Sequence, residues 1–449
     1  MDMNRTSFQS IKPQLREVWR LSLPAILTQI TTIAMQYIDS AMVGRLGANA
    51  SAAIGLVASS TWLFNGVCYA LSAGFSVQVA HRIGAGNARG ARSVEKNGLL
   101  AGLLVSGLLC LLGSLIHAQL PVWLKGDAEI TGDAGRYFLS FSWMLPFTQL
   151  CSLTSSFLQC AGDMLTPSIL NAVMCVLDVV FNALLIPRLG VFGAGLGTML
   201  ACAVVAVVMV ILCCFRNESL RFRSGEHHPV DGAVLKTALR IGTPVALQEV
   251  AMCGAQVVST AIIAPLGAVS VAANAFAVTA ESICYMPGYG IANAAAALVG
   301  RSVGAGDMES AKRDGNICIA LGAFLMTCTG AVMMFLCPLV FGMLTPVADV
   351  QQLAARVLRI ELLAEPLFGA SIVAAGALRG AGDTLVPSLL NLGSIWLVRV
   401  GSALVLVPRF GLTGMWCAMA VELCIRGLLL LVRQRTSKYY CVSTDAKRP

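Results

Sequence analysis

Ala161-Gly-Asp163-Met-Leu-Thr-Pro167-Ser168 returns 220 residues later as Ala381-Gly-Asp383-Thr-Leu-Val-Pro387-Ser388, and this echo decides how the chain is built. The same offset joins Arg20-Leu-Ser-Leu-Pro24 to Arg240-Ile-Gly-Thr-Pro244 and Ile83-Gly-Ala-Gly86 to Val303-Gly-Ala-Gly306. It also joins Ala91-Arg92 to Ala311-Lys312, Pro146 to Pro366 and Asn171 to Asn391. At Pro187-Arg188 and Pro408-Arg409 the offset becomes 221, so one residue has been inserted in the second copy before Pro408. A constant spacing over several separate motifs marks an internal duplication rather than chance.

The repeated unit belongs in a membrane. Of 449 residues 57% are hydrophobic and only 12% charged, with a mean hydropathy of +0.77. Soluble domains carry roughly 25% charged residues. Gly98 to His117 and Val191 to Phe215 contain no charge at all. Each is long enough to cross a hydrocarbon core of about 30 Å at about 1.5 Å per residue. Twelve spans are expected, at 21–43, 52–80, 97–117, 135–159, 168–187, 190–215, 241–264, 269–300, 315–338, 352–377, 388–408 and 411–432. The inserted residue then falls within span eleven. The expected fold is an all-α polytopic membrane protein of two pseudo-symmetric six-helix bundles. The bundles take 21–215 and 240–432, flanked by segments 1–20 and 433–449 and joined by a linker at 216–239.

Charge gives the orientation. Arg82, Arg89, Arg92 and Lys96 lie between spans two and three, and Arg216, Arg221, Arg223, Lys236 and Arg240 between six and seven. Arg301, Lys312 and Arg313 follow span eight, and Arg433, Arg435 and Lys438 follow span twelve. Alternate loops enriched in Lys and Arg put both termini in the cytoplasm, at the inner (plasma) membrane. The net charge of +8 is thereby explained by the cytoplasmic face, with no nucleic-acid partner. Six spans per copy is an even number, so both copies enter from one side and are related by a pseudo-two-fold along the membrane normal. The N-terminus has no cleavable signal pattern, and the sixteen cysteines sit mostly in apolar runs, where they act as small hydrophobes. His227-His228 belongs to a solvated linker.

The informative residues are ionisable ones inside spans, because each is costly in hydrocarbon and faces a cavity or a partner. Asp178 lies nine residues before Pro187 and Asp39 eight before Gly47, about 12–13 Å below the outer turns. Thr198 sits as far past Arg188 as Asp178 sits before it, so an antiparallel hairpin is expected to level the two. Two buried carboxylates cannot both stay charged cheaply, so Asp39, Asp178 and Thr198 are expected to hold a proton or Na⁺. The second copy has Ser259, Arg399 and Met419 at the matching places. The site is therefore expected once, in the first bundle. Arg399 is expected to pair with one of Glu249, Glu281, Glu361, Glu365 and Glu422. Prolines inside spans (Pro24, Pro146, Pro244, Pro287, Pro366) are expected to kink helices. No Walker A run, His-Glu-x-x-His pair or nucleophile elbow occurs, so an enzyme is not expected.

Tyr37-Ile-Asp39-Ser-Ala-Met-Val-Gly44-Arg-Leu-Gly47, the paired Gly-Ala-Gly and Ala-Gly-Asp-x-Leu-x-Pro turns, and Leu177-Asp178 before Gly193-Ala-Gly-Leu-Gly-Thr198 resemble the multidrug and toxic compound extrusion (MATE) family. The resemblance covers all twelve spans. It implies efflux of drug-like, often cationic compounds by alternating access, driven by H⁺ or Na⁺ entry. In the DinF-like branch the family's cation site matches Asp39, Asp178 and Thr198. That branch's Asn, four residues before the Asp, is Met174 here, which weakens the Na⁺ case; Asn182 or Asn171 is a possible substitute. The NorM-like branch relies on acids whose places hold Met252 and Phe368, with Glu249 and Glu281 nearby. The motifs thus point to the DinF-like branch. The implied function is a monomeric secondary antiporter for small molecules, needing a bilayer and no cofactor beyond the coupling ion. A lipid-linked precursor flippase of related fold is the alternative, and it would need a cationic cavity of which Arg399 is the one mid-span arginine in sight.

Overall fold

The computed structural model describes residues 3–223, Glu226 and 229–440; His227-His228 lies outside the described residues. In lipid a backbone must satisfy its own N–H and C=O groups, and the chain does so by being helical almost throughout. The first copy runs α1 (Met3–Gly44), α2 (Ala48–Gly84), α3 (Ala88–Ile116), the single turn α4 (Leu120–Trp123), α5 (Ala128–Cys160) and α6 (Leu165–Ile211). The second runs α7 (Gly232–Ile263), α8 (Ala268–Gly304), α9 (Met308–Leu344), α10 (Ala348–Leu362), α11 (Glu365–Ala381) and α12 (Leu385–Gly393). A π-helical turn (Ser394–Val400), α13 (Gly401–Phe410) and α14 (Leu412–Thr436) complete it.

Among the described residues nine helical stretches are long and apolar enough to cross a bilayer. One of them, Leu165–Arg216, folds back at Gly190 (φ 60°, ψ −135°) and so carries spans five and six. With α5 as span four, and α10 and α11 as the two pieces of span ten, the count reaches the expected twelve. Span ten is broken where Pro366 falls in the first turn of α11, a place where a missing N–H costs nothing. Pro146, its repeat partner, instead lies inside the continuous α5.

Contacts divide the chain into two compact units, Ile30–Glu249 and Met1–Gln29 with Val250–Pro449. Each unit therefore takes a half-helix from the other side of the sequence. In the first, the backbone of Ala238 packs on Gly74 and that of Ala70 on Gly242, both approaches that leave no room for a Cβ. In the second, Ile26 packs in the same way on Gly290, and Glu17 meets Arg301 at 3.6 Å. The two boundaries, after Gln29 and after Glu249, are again 220 residues apart. The contact units thus begin half a helix away from the covalent bundles 21–215 and 240–432.

Duplication is legible in the backbone angles. The glycines with positive φ form four repeat pairs: Gly47 and Gly267, Gly86 and Gly306, Gly162 and Gly382, Gly190 and Gly411. Asn87 caps α3 by accepting from Gly90 N at 2.7 Å, and Asp307 caps α9 by accepting from Ser310 N at 2.9 Å. The donated bond from Ser310 holds the Asp307 carboxylate below its ordinary range. The turn at Gly411 (φ 59°, ψ −141°) has open space around it, so Gly411→Ala isolates backbone strain from packing. It should lower stability by about 1–3 kcal/mol, read as a lower midpoint of thermal unfolding in detergent. An unchanged midpoint would show that the turn relaxes freely.

The inserted residue is visible too. Ser394–Val400 winds as a π-helical turn, whereas the matching part of the first copy is ordinary α-helix within α6. A π-turn absorbs one extra residue without breaking the helix, and Arg399 sits on it.

Candidate functional site

In the unit Ile30–Glu249, α1, α2, α5 and α6 enclose a cavity of about 370 Å³ whose walls include Gln36, Asp39, Ser40, Asn65, Tyr137 and Thr198. Asp178 stands behind it with no exposed surface. Its carboxyl group interacts directly with that of Asp39, and both act on the Tyr137 hydroxyl. Asn182 donates through Nδ2 to Asp39 Oδ1 at 2.8 Å. No donor reaches either carboxyl oxygen of Asp178 or the Oδ1 of Asn182, and all three atoms are buried. Gly197 makes this possible, because any side chain there would collide with Asn182 Oδ1. Asn182 Oδ1 faces Gly197, whereas the two orphaned oxygens of Asp178, beside a second carboxylate, are acceptors that a proton or a hard cation would satisfy.

The hairpin corrects one expectation. It pivots at Gly190 rather than at Arg188, with Gly193 packed on the Leu185 carbonyl and Gly197 beside Asn182. Thr198 is therefore level with about residue 181, roughly 4.5 Å along the helix from Asp178. Its hydroxyl donates to the Ala194 carbonyl of its own helix at 3.1 Å while lining the cavity with Asp39. The side chain that donates a hydrogen bond to Asp39 is Asn182. Asn171 donates to the Thr32 hydroxyl at 2.9 Å, two turns of α1 from Asp39. Met174 is half-buried and brings no oxygen. Glu249 lies on α7 with its stem against Gly66 of α2.

The other unit holds the second set of charges. Of the carboxylates considered for Arg399, the partner is Glu422 of α14, with Nη2 at 2.7 Å and Nε at 3.2 Å from Oε2. Ser394 donates to Oε1 of the same carboxylate at 2.6 Å. Arg426, one turn on, brings a second guanidinium to 3.2 Å from that Oε1. The sequence reading overlooked Arg426, though its position four residues after Glu422 was the available signal. Arg426 also lies over the Phe368 ring at 5.4 Å, so an aromatic–guanidinium contact fills the place of one NorM-like acid. Met252, at the other, packs beside Ile395 and Val400. Glu281 lies in the field of both guanidiniums. Glu361 and Glu365 are fully buried, and none of their four carboxyl oxygens receives a hydrogen bond.

The sequence pattern of the MatE family matches twice, at residues 24–184 and 244–405. A relative named probable multidrug resistance protein NorM from Thermotoga maritima is 28% identical, over 94% of this chain and 92% of its own. A protein of the same name from Rhodopseudomonas palustris is 30% identical, over 94% and 92%. Among solved structures, a MOP superfamily transporter from Pyrococcus furiosus, described as having a binding pocket of reverse polarity, superposes with a TM-score of 0.89 at 19% identity, covering 94% of this chain and 95% of that one. An outward-facing multidrug resistance MATE transporter of the same superfamily also gives 0.89, at 20% identity, covering 94% and 95%. The relatives carry the NorM name, so the comparisons lean away from the DinF-like branch that the acidic motifs indicated. With a duplicated pattern matched in both halves and relatives aligned end to end, the chain belongs to the MATE family of membrane transporters.

Proposed function

We propose that this protein exports drug-like, often cationic small molecules across the inner membrane, both termini cytoplasmic, in exchange for H⁺ or Na⁺ bound at Asp39 and Asp178. The observation that carries the reading is the pair of buried acceptors without donors, Asp178 Oδ1 and Asp178 Oδ2, next to a second carboxylate. An occupied pocket and an emptied one differ in charge, and that difference is what alternating access needs to bias two states. The adjoining cavity falls within the roughly 300–1,000 Å³ of small-molecule pockets. It mixes the apolar Val43, Ile54 and Trp62 with the carboxylate of Asp39, a lining suited to an amphipathic cation. The relatives' name, probable multidrug resistance protein, supports drugs as the substrates. One charge moved across about 100 mV supplies about 2.3 kcal/mol, roughly a fifty-fold substrate gradient.

Proteoliposomes loaded with a fluorescent cation, with pH and Na⁺ gradients imposed separately, test the proposal. Efflux should follow one gradient and be silent to the other. Efflux indifferent to both would remove the antiport reading.

A second reading puts the coupling proton on Glu361 and Glu365 in the other unit, favoured by their four unsatisfied oxygens. It predicts that Glu365→Gln uncouples export while Asp178→Asn does not.

A further inference from the structure

The acidic cavity has a counterpart in the other unit. Gln256, Ser259, Thr260 and Met419 line it where Gln36, Asp39, Ser40 and Thr198 line the first. Arg399 contributes to its wall and stands at the repeat position of Asp178. The duplicated fold thus keeps the hollow and reverses its charge. It measures about 30 Å³, against the 10–15 Å³ or so that one water needs. A drug-like molecule does not fit; a single small ion does.

Three of the lining side chains, Arg399, Asn274 and Trp416, carry N–H donors. Trp416, part of the wall, donates from Nε1 to Asn274 Oδ1 at 3.0 Å. An indole can only donate, so this bond fixes the amide orientation and turns the Asn274 NH₂ away from Trp416. Arg399 commits Nε and Nη2 to Glu422, and its Nη1 makes no bond among the described residues. No carboxylate lines the hollow. Of the acids nearby, Glu422 alone meets the guanidiniums at ion-pair distance, and it serves both Arg399 and Arg426. Glu281 and Glu361 act on Arg399 from farther off. Two guanidiniums on one carboxylate, with a free N–H edge and an amide NH₂ at a small hollow, are the chemistry of an anion site.

We infer that this second cavity binds a small monovalent anion, a halide ion or the carboxylate of an organic solute, on Arg399 and Asn274. The inference does not depend on what the Asp39 cavity binds.

Bromide is the probe, because it quenches the fluorescence of a tryptophan it touches. Full-length protein in lipid nanodiscs, in sodium gluconate, is titrated with sodium bromide. The expected result is a saturable quenching component on top of linear collisional quenching, absent in Trp416→Phe and displaced by chloride. Displacement by acetate at lower concentration than chloride identifies a carboxylate as the preferred occupant; displacement by chloride alone identifies a halide. Arg399→Gln should weaken the component by about tenfold or more. Ser259→Asp leaves the Arg399–Glu422 pair in place and puts the first cavity's acid into the second, and should abolish the component. Strictly linear quenching in the wild-type protein would overturn the inference, as would a saturable component unchanged in Ser259→Asp.

Discussion

Asp178→Asn should abolish ion-driven export while leaving the protein inserted and as heat-stable as before, or slightly more so. The two halves of this expectation have one cause. Asparagine keeps the shape of the side chain but supplies an NH₂ where the structure has two acceptors without a donor beside Asp39. The amide can donate across the pair, so the buried acceptors gain the partner they lack. The position that a proton or Na⁺ would fill is lost together with one negative charge. A charge-assisted contact is worth about 1.5–3 kcal/mol, so affinity for the coupling ion should fall by roughly 10- to 150-fold. Dye efflux under an imposed gradient and the unfolding midpoint of the same sample are the paired measurements. Normal gradient-driven efflux in the variant would refute the assignment of the coupling site. Asn182→Leu, which removes the donor to Asp39 without changing charge, should impair efflux less than Asp178→Asn.

Glu422→Gln is expected to be the most destabilising single change in the unit that contains it. Glu422 is wholly buried and is the sole carboxylate at ion-pair distance from both Arg399 and Arg426 among the described residues. Their guanidiniums are largely buried, so neutralising Glu422 leaves two cations in a low-dielectric interior without a counter-charge. Breaking a buried pair in this way costs about 3–5 kcal/mol. Denaturant unfolding in mixed micelles should show the loss. Arg399→Gln in the same chain should return part of it, since one of the stranded charges is then gone. If Glu422→Gln unfolds like the wild type, water or another acid is already compensating the guanidiniums. Asp383, which accepts from Arg433 at 2.7 Å near the C-terminal end of α14, is the comparison site. Arg433 is more exposed than Arg426, and the same substitution at Asp383 should cost less.

The twelve spans and the duplication were readable from the sequence because both are periodic: long uncharged runs and motifs at a fixed offset. The single break in that offset, between Asn391 and Pro408, marks an extra residue in span eleven, and the π-turn at Ser394–Val400 falls within that interval. What the sequence withheld was rotation and pivot. Counting from Arg188 set Thr198 level with Asp178, whereas the chain turns at Gly190 and brings Asn182 to Asp39 instead. Five acids were possible partners for Arg399, and only the facing of α14 selects Glu422. Arg426 was overlooked although it falls inside span twelve, because Arg399 drew attention as the repeat counterpart of Asp178 and Arg426 answers to no motif of the first copy. The branch within the family divides for a related reason. A few acids in one cavity spoke for DinF, while overall likeness, dominated by the scaffold, follows relatives named NorM.

The π-turn also orders events in the protein's history. Two copies that still share glycine angles, helix caps and proline places descend from one ancestral gene segment, and the extra residue entered after they parted. One added residue turns everything behind it by about 100° about the helix axis unless it is absorbed locally. Here the bulge confines the change, so Pro408, Gly411 and Gly414 keep the geometry of their first-copy counterparts. The insertion thus let one half of the molecule explore a new polarity while its ends stayed fixed to the common frame. Excising one residue from 394–400 would run that step backwards. It should return the segment to an ordinary α-helix and break the Arg399–Glu422 contact without loosening the hairpin beyond it.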